Sequence, residues 1–270
     1  MKRFFSIALC IIFIGVFDAC AQKLVILHVN DTHSHLEPER SDDLNGRGGF
    51  IEISAYVDSV RKAEGRRNVL LLHAGDWNQG TSYFNVFKGE LEINILNAMK
   101  FDCVTLGNHE FDNGIEDLAM RLDRLDAEVV CANYDFSSLP LSSKVKPYTI
   151  VKRGGRKIGI IGATCKLSRV VDANIASRIP EIPEVEETVN KWADYLKNEK
   201  GCDMVILLSH MGYSADLSAV TGLRNVDLVI GGHSHTKLDG FKYVEDADGK
   251  EVPVIQDWEW GLEVGRIEVD

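Results

Sequence analysis

The stretch VDLVIGGHSHT (Val226–Thr236) runs from an apolar segment through two glycines and then sets His233 and His235 on alternate positions. An apolar run of this length, rich in Val and Ile, has the dimensions of a buried strand. The Gly-Gly pair ends it in a turn. The chain has only eight histidines, and two of them stand two residues apart where a strand stops. Alternate residues of an extended turn can aim two imidazoles at ions held close together.

Working outward, the same pattern recurs. KLVILHV (23–29), NVLLLHA (68–74), FDCVTLG (101–107), EVVCAN (128–133), KIGIIGA (157–163) and DMVILLS (203–209) are further strand-length apolar runs. Helical stripes lie between them. Phe50, Ile53, Val57 and Val60 form one; Ile115, Leu118, Leu122 and Leu125 a second; Val185, Val189, Trp192 and Leu196 a third, each at the spacing of one helix face. Gly48-Gly49 precedes the first stripe, while Gly65 and Gly201 close the first and third. This alternation predicts an α/β fold with helices covering a largely buried sheet. The tail from Phe241 onward differs, with strands joined by turns and Asp248-Gly249 as a hairpin signal. Its DADG segment lacks the downstream ligands of a calcium loop. No Pro/Ser-rich linker interrupts the chain, so residues 22–270 are expected to form one domain.

In α/β folds, ligand-binding and catalytic groups gather beyond the carboxyl ends of the strands. Those positions carry Asn30-Asp31-Thr32-His33, Gly75-Asp76, Asn108-His109-Glu110, His210 and His233-Ser234-His235. Each piece alone is a weak signal, but five of the seven strand ends deliver carboxylate, amide or imidazole to one edge. Asp31, His33, Asp76, Asn108, His210, His233 and His235 are the candidate ligands, seven in all. One metal cannot use seven such side chains, whereas two metals sharing a carboxylate would receive four each. That predicts a dimetal centre. Mixed nitrogen and oxygen donors without thiolate suit Zn, Mn, Co or Fe better than Ca. His109 is left over, with Asp112 three residues on. At this spacing the carboxylate can fix the ring's tautomer and raise its basicity, which is a chemical role rather than a ligand role.

NDTHSH, GDWNQGTS, GNHEFDNG, SHMG and GGHSHT, in that order, resemble the calcineurin-like metallophosphoesterases. More narrowly, they resemble the catalytic domain of the 5′-nucleotidase/UDP-sugar hydrolase family, from about Leu24 to the closing GLEVGRIEVD. The resemblance implies a four-layer αββα sandwich. It implies that Asp31, His33, Asp76 and His235 hold one divalent metal, and that a bridging Asp76 with Asn108, His210 and His233 holds the second. It makes His109 and Asp112 the catalytic dyad. The implied activity is hydrolysis of phosphate esters, 5′-nucleotides or nucleotide sugars foremost, by metal-activated water, with Zn, Mn or Co as the metals. Full-length members carry a C-terminal nucleotide-recognition domain, and this chain stops at Asp270, where that domain would begin. The expectation is therefore a stand-alone phosphoesterase, or the catalytic half of a split enzyme that needs a separate substrate-binding polypeptide. A cyclic-nucleotide phosphodiesterase, another ester hydrolase on the same scaffold, and a binding protein on a degenerate enzyme fold are the rival readings.

The formal net charge of −11 argues against a general nucleic-acid binder, which needs a basic footprint. An anionic substrate would have to be drawn by strong local positive charge, which two dications supply. At the amino end, Lys2-Arg3, the apolar Phe4–Phe17 and Ala19-Cys20-Ala21 form a secretory signal pattern over residues 1–21. It predicts a periplasmic or extracellular product, with a membrane tether if Cys20 is lipidated. Removing Lys2, Arg3 and Asp18 with this segment leaves a net charge of −12. Cys103, Cys131, Cys165 and Cys202 lack paired spacing and are expected as buried small hydrophobes rather than disulfides. His28 and His73 are expected inside the core, and His35 in a loop. Tyr83, Phe84 and Phe87 are candidates for a pocket wall, or for a core or helix-face role. Asn30-Asp31-Thr32 is formally a glycosylation sequon, made improbable by its place among the ligands.

Overall fold

Every residue of the first strand is buried, and successive side chains go to different cores. In β1 (Leu24–Val29), Val25, Leu27 and Val29 pack under helices, while Leu24 and Ile26 pack against a second sheet. Alternate residues of a strand face opposite ways, so a strand apolar at every position must be covered on both sides. This is why the apolar runs carry no polar alternation. The computed structural model describes residues 23–41 and 43–269; the signal pattern over 1–21, Cys20 included, lies outside the described residues.

In chain order, β1 is followed by α1 (Gly49–Glu64), β2 (Val69–His73), α2 (Ser82–Phe87), α3 (Glu90–Met99), β3 (Cys103–Thr105), α4 (Ile115–Leu122) and β4 (Glu128–Val130). Next come β5 (Val145–Lys146), β6 (Tyr148–Arg153), β7 (Arg156–Thr164), α5 (Ala173–Ala176), α6 (Val185–Asp194) and β8 (Met204–His210). The chain closes with α7 (Tyr213–Val220), β9 (Leu228–Ile230), β10 (Lys242–Glu245), β11 (Glu251–Ile255) and β12 (Gly265–Val269). All seven strands expected from apolar runs are present, although β3 and β9 keep only the central three residues of their runs and β4 only the first three.

The strands form two six-stranded mixed sheets, ordered β12-β1-β2-β3-β4-β5 and β10-β11-β9-β8-β7-β6. Within each sheet the inner strands are parallel; β12, β10 and β6 run antiparallel to their neighbours. One core fills the space between the sheets, built from β1 and β2 on one side and β7, β8 and β9 on the other. A second lies between the first sheet and α1, α3 and α4, and a third between the second sheet and α6 and α7. The result is the four-layer αββα sandwich expected from the motifs. Among the described residues, no helix is long and apolar enough to cross a membrane.

The three helical stripes seat as expected. Phe50, Ile53, Val57 and Val60 are all buried on α1. Leu125 is buried beyond the end of α4, and Leu196 sits in a π-helical turn that continues α6. Asp248-Gly249 closes the β10–β11 hairpin. The free cysteines Cys103, Cys131, Cys165 and Cys202 are all buried.

Candidate metal centre at the strand ends

The parallel strands of both sheets end on one edge, and the seven predicted ligands meet there. Asp31 and His33 follow β1, Asp76 follows β2 and Asn108 follows β3; His210 ends β8, and His233 and His235 follow β9. Two groups share this edge. In the first, Asp31 Oδ1 lies 3.3 Å from His235 Nε2, and His33 Nε2 lies 3.0 Å from the same nitrogen. In the second, Asp76 Oδ2 lies 3.0 Å from His210 Nε2, with His233 completing a group whose donor atoms are within 4.8 Å of one another. Asp76 also forms a third such group with His33 and His109. It therefore stands between the two sides. Asp31 and His210 are wholly buried behind the others. His33, Asp76, Asn108, His233 and His235 line a cavity of about 530 Å³.

The backbone is bent to achieve this. Asp31, His33, Asp76, His233 and His235 all take positive φ, between 45° and 75°, a region uncommon for residues with a Cβ. Five of the seven candidates therefore hold a strained conformation, which persists only where surrounding structure over-determines it. Glu110 provides much of that determination. Its buried carboxylate accepts the backbone N–H groups of Asp76, Trp77, Asn78 and Gly107 at 2.7–3.3 Å, tying the loop after β2 to the loop after β3. Burial and the neighbouring Asp76 raise its carboxyl to about 8, against the four donors, which favour the ionised form. Two glycines permit the approach. A Cβ on Gly107 would lie 2.2 Å from Asp76 Oδ1, and one on Gly75, at φ +89°, would lie 2.6 Å from His210 Nδ1.

The electrostatics call for positive charge. Burial works against a charged His210, yet Asp76 and Asp31 raise its imidazole to about 10. Asp76 is equally buried and is held below the ordinary carboxylate range by His210. Burial lowers His33 and His233, so these rings offer neutral nitrogens. Among the described residues, Asp31 Oδ1 and His210 Nε2 are buried and hydrogen-bond to no protein group, although other donor atoms stand within 4 Å of each. Imidazole and carboxylate donors crowded this closely, two of their atoms buried without a hydrogen bond, fit a shared cation better than a packed core. Cys165 Sγ lies 3.6 Å from Asn108 Oδ1, but burial pushes the thiol up to about 12. No cysteine belongs to the candidate donor groups among the described residues, so the set stays nitrogen and oxygen. Two divalent ions therefore fit the residues present.

His109 and Asp112 form the expected pair, with Nδ1 and Oδ2 2.8 Å apart. Burial opposes charge on this ring, but the Asp112 hydrogen bond and the neighbouring carboxylates more than offset it and raise the pKa. Asp76 Oδ1 accepts the backbone N–H of His109 at 2.8 Å, which locks the dyad to the centre.

The remaining polar expectations resolve as follows. His28 is buried 2.5 Å from Asp257. His73 is buried with Nε2 2.9 Å from Thr32 Oγ1. His35 bonds Glu39 at 2.6 Å and stacks on Trp260 at the cavity wall. Phe84 is buried, Phe87 is exposed and Tyr83 reaches Glu37, so α2 supplies a helix face rather than a pocket wall. The Asn30 amide is buried, donating to Asp31 Oδ2 and the Trp258 carbonyl, a poor acceptor for a glycan.

Sequence reasoning named Glu110 at a strand end without giving it a role, and it missed Gln256, Glu259 and Trp260 altogether. Gln256 ties Gly232, Ser234 and Thr236 together, and Glu259 meets His235 at 2.5 Å. Their position follows only from the sheet order: β11 is parallel to β9, so residues 256–261 occupy another strand end of the kind that located the ligands.

Comparison with known proteins agrees with this geometry. Residues 24–237 match the model of the calcineurin-like phosphoesterases. The snake venom 5′-nucleotidase of Naja atra is 34% identical over 270 residues, covering 92% of this chain and 50% of that protein. The NAD 5′-nucleotidase of Haemophilus influenzae is 34% identical over 92% of this chain and 44% of its own length. A crystal structure of a 5′-nucleotidase precursor from Thermus thermophilus superposes with a TM-score of 0.84 at 35% identity, over 92% of this chain and 51% of that one. The chain spans about half the length of the curated relatives it matches. With the matched stretch taking in all seven candidate ligands, His109 and Asp112, the chain belongs to the calcineurin-like phosphoesterase family.

Proposed function

We propose that this chain is a dimetal phosphoesterase that hydrolyses phosphate esters, 5′-nucleotides or nucleotide sugars foremost. Asp31, His33, Asp76 and His235 hold one divalent ion; Asp76, Asn108, His210 and His233 hold the other. The observation that carries this reading is the convergence of donor atoms from five different strand ends into groups within 4.8 Å of one another, with Asp31 Oδ1 and His210 Nε2 buried among them. Similarity to 5′-nucleotidases supports the substrate class. When bound, such a pair supplies Lewis-acid polarisation of phosphoryl oxygens and a nucleophilic water at neutral pH.

The chain's own groups do the rest. Asp112 holds Nδ1 of His109, which leaves Nε2 to carry a proton to the departing oxygen. The raised basicity of this ring favours its protonated form. Trp260 and His35 wall the cavity beside the centre, where the organic part of an ester would lie. Residues 22–270 form the catalytic domain. The Phe4–Phe17 and Ala19-Cys20-Ala21 pattern directs the chain across the inner membrane, which mass spectrometry of the mature amino terminus would test.

The functional test is hydrolysis of AMP, UDP-glucose, NAD and bis-p-nitrophenyl phosphate by protein loaded with Mn²⁺ or Zn²⁺, and again after chelation. The proposal expects metal-dependent cleavage, with AMP or a nucleotide sugar exceeding the artificial diester. Absence of metal-dependent cleavage of any of the four overturns it.

A further inference from the structure

The segment Gln256–Gly261, QDWEWG, lies beyond the residues matched by the family model, which ends at 237, yet it is built into the centre. Trp258 and Trp260 both take positive φ, 55° and 56°, and each is pinned by backbone hydrogen bonds to a ligand loop. The Trp258 N–H donates to the Thr236 carbonyl at 3.2 Å, and the Trp260 N–H donates to the Asp31 carbonyl at 2.7 Å. The Asn30 amide donates to the Trp258 carbonyl at 2.6 Å. Glu259 is carried between these two strained residues, its side chain largely buried, with Oε2 2.5 Å from His235 Nδ1.

That contact is chemically distinctive. His33 and His210 face their Nδ1 atoms toward backbone carbonyls, of Asn78 and Ala74 respectively. His235 instead faces a carboxylate. The hydrogen bond fixes the tautomer with the proton on Nδ1 and the lone pair on Nε2, which points to Asp31 Oδ1 at 3.3 Å. A carboxylate partner also makes the ring a stronger donor and adds negative charge beside the site. His210 has a weaker support, since its Nδ1 leans on the Ala74 carbonyl.

We propose that Glu259 is a positioning residue that sets the metal affinity of the Asp31–His33–His235 side of the centre, leaving the Asp76–His210–His233 side unaffected. This rests on the dimetal reading above. The strain at Trp258 and Trp260 has a use in this account: it holds one acid against one ligand.

The test is the Mn²⁺ binding isotherm of apo-protein, measured by calorimetry for wild type, Glu259→Ala and Glu259→Gln. Wild type is expected to bind two ions per chain. Glu259→Ala is expected to weaken one step by roughly 10- to 100-fold and to leave the other step unchanged. Glu259→Gln keeps an acceptor for Nδ1–H but loses the charge, so it is expected to fall between the two, and it serves as the probe if the alanine variant fails to fold. Two ions in wild type with unchanged isotherms in the variants, or equal weakening of both steps, overturns the assignment of Glu259 alone. A wild-type chain that binds no ion overturns the dimetal reading itself and this inference with it.

Discussion

His33 and His109 have ring centroids 5.3 Å apart, yet their second nitrogens meet different partners, a carbonyl of Asn78 and the carboxylate of Asp112. His33 belongs to the donor group of Asp31 and His235, whereas His109 lies outside the seven candidate ligands. His109→Ala is therefore expected to keep both ions and lose about 10²- to 10⁴-fold in turnover. Metal analysis beside steady-state rates checks this, and loss of metal or near-normal turnover would contradict it. Asp216, which is not one of the candidate ligands, allows a pH prediction. Burial raises its carboxyl to about 7, above the ordinary aspartate range, and Ser209 Oγ donates to it at 2.5 Å. The folded state thus binds this proton more tightly than the unfolded chain. The contribution to stability is fully present below the unfolded pKa and is lost as pH rises through about 7. Asp216→Asn should flatten that decline, as read from melting temperatures of metal-free protein between about pH 4 and pH 7. A decline as steep in the variant as in wild type would contradict it.

At the scale of elements, the loops matter more than the strands that carry them. The loop after β2 and the loop after β3 are held in register by Glu110 and by the missing side chain at Gly107. Gly107→Ala would drive a methyl into Asp76. A displacement of about 1 Å at a catalytic group can cost about 10²-fold in rate, and this variant is expected to lose at least that with weakened binding of both ions. Binding and turnover measured on the folded variant decide it; wild-type affinity at both sites would contradict the account. The elements that were legible in sequence were those with one clear period. α1, α4 and α6 show their stripes because each covers a sheet with one face. α2 and α5 are too short to show a period. α7 buries Asp216 beside apolar residues, which breaks the pattern that composition would reveal. The β6 strand is only partly buried at the sheet edge, so it lacks the continuous apolar run of its neighbours. The seven candidate ligands were legible because they follow such runs directly. Glu259 was not, because its strand reads as one arm of a hairpin and its parallel partner β9 is distant in sequence.

At the scale of the molecule, the centre is assembled from both sheets. Asp31, His33, Asp76 and Asn108 come from the first, and His210, His233 and His235 from the second. An ion held by ligands of both sheets binds the folded chain and not the unfolded one. It must raise stability by about 2.7 kcal/mol once free ion reaches about 100 times its dissociation constant. Chelation should accordingly lower the melting temperature by several degrees, about 2–4 °C for each kcal/mol at this size. A melting temperature indifferent to Mn²⁺, Zn²⁺ and chelator would contradict assembly of the centre across the sheets. The sheet pairing itself could not be read from sequence. β12 returns to pair with β1 across almost the whole chain, and nothing local in GRIEV announces its partner. The most direct test of the central claim is an anomalous-difference map from crystals grown with Mn²⁺ or Zn²⁺. Two peaks roughly 3.5–4 Å apart are predicted, one against Asp31, His33 and His235, the other against Asn108, His210 and His233, with Asp76 reaching both. A single peak, or none at these side chains, would contradict it.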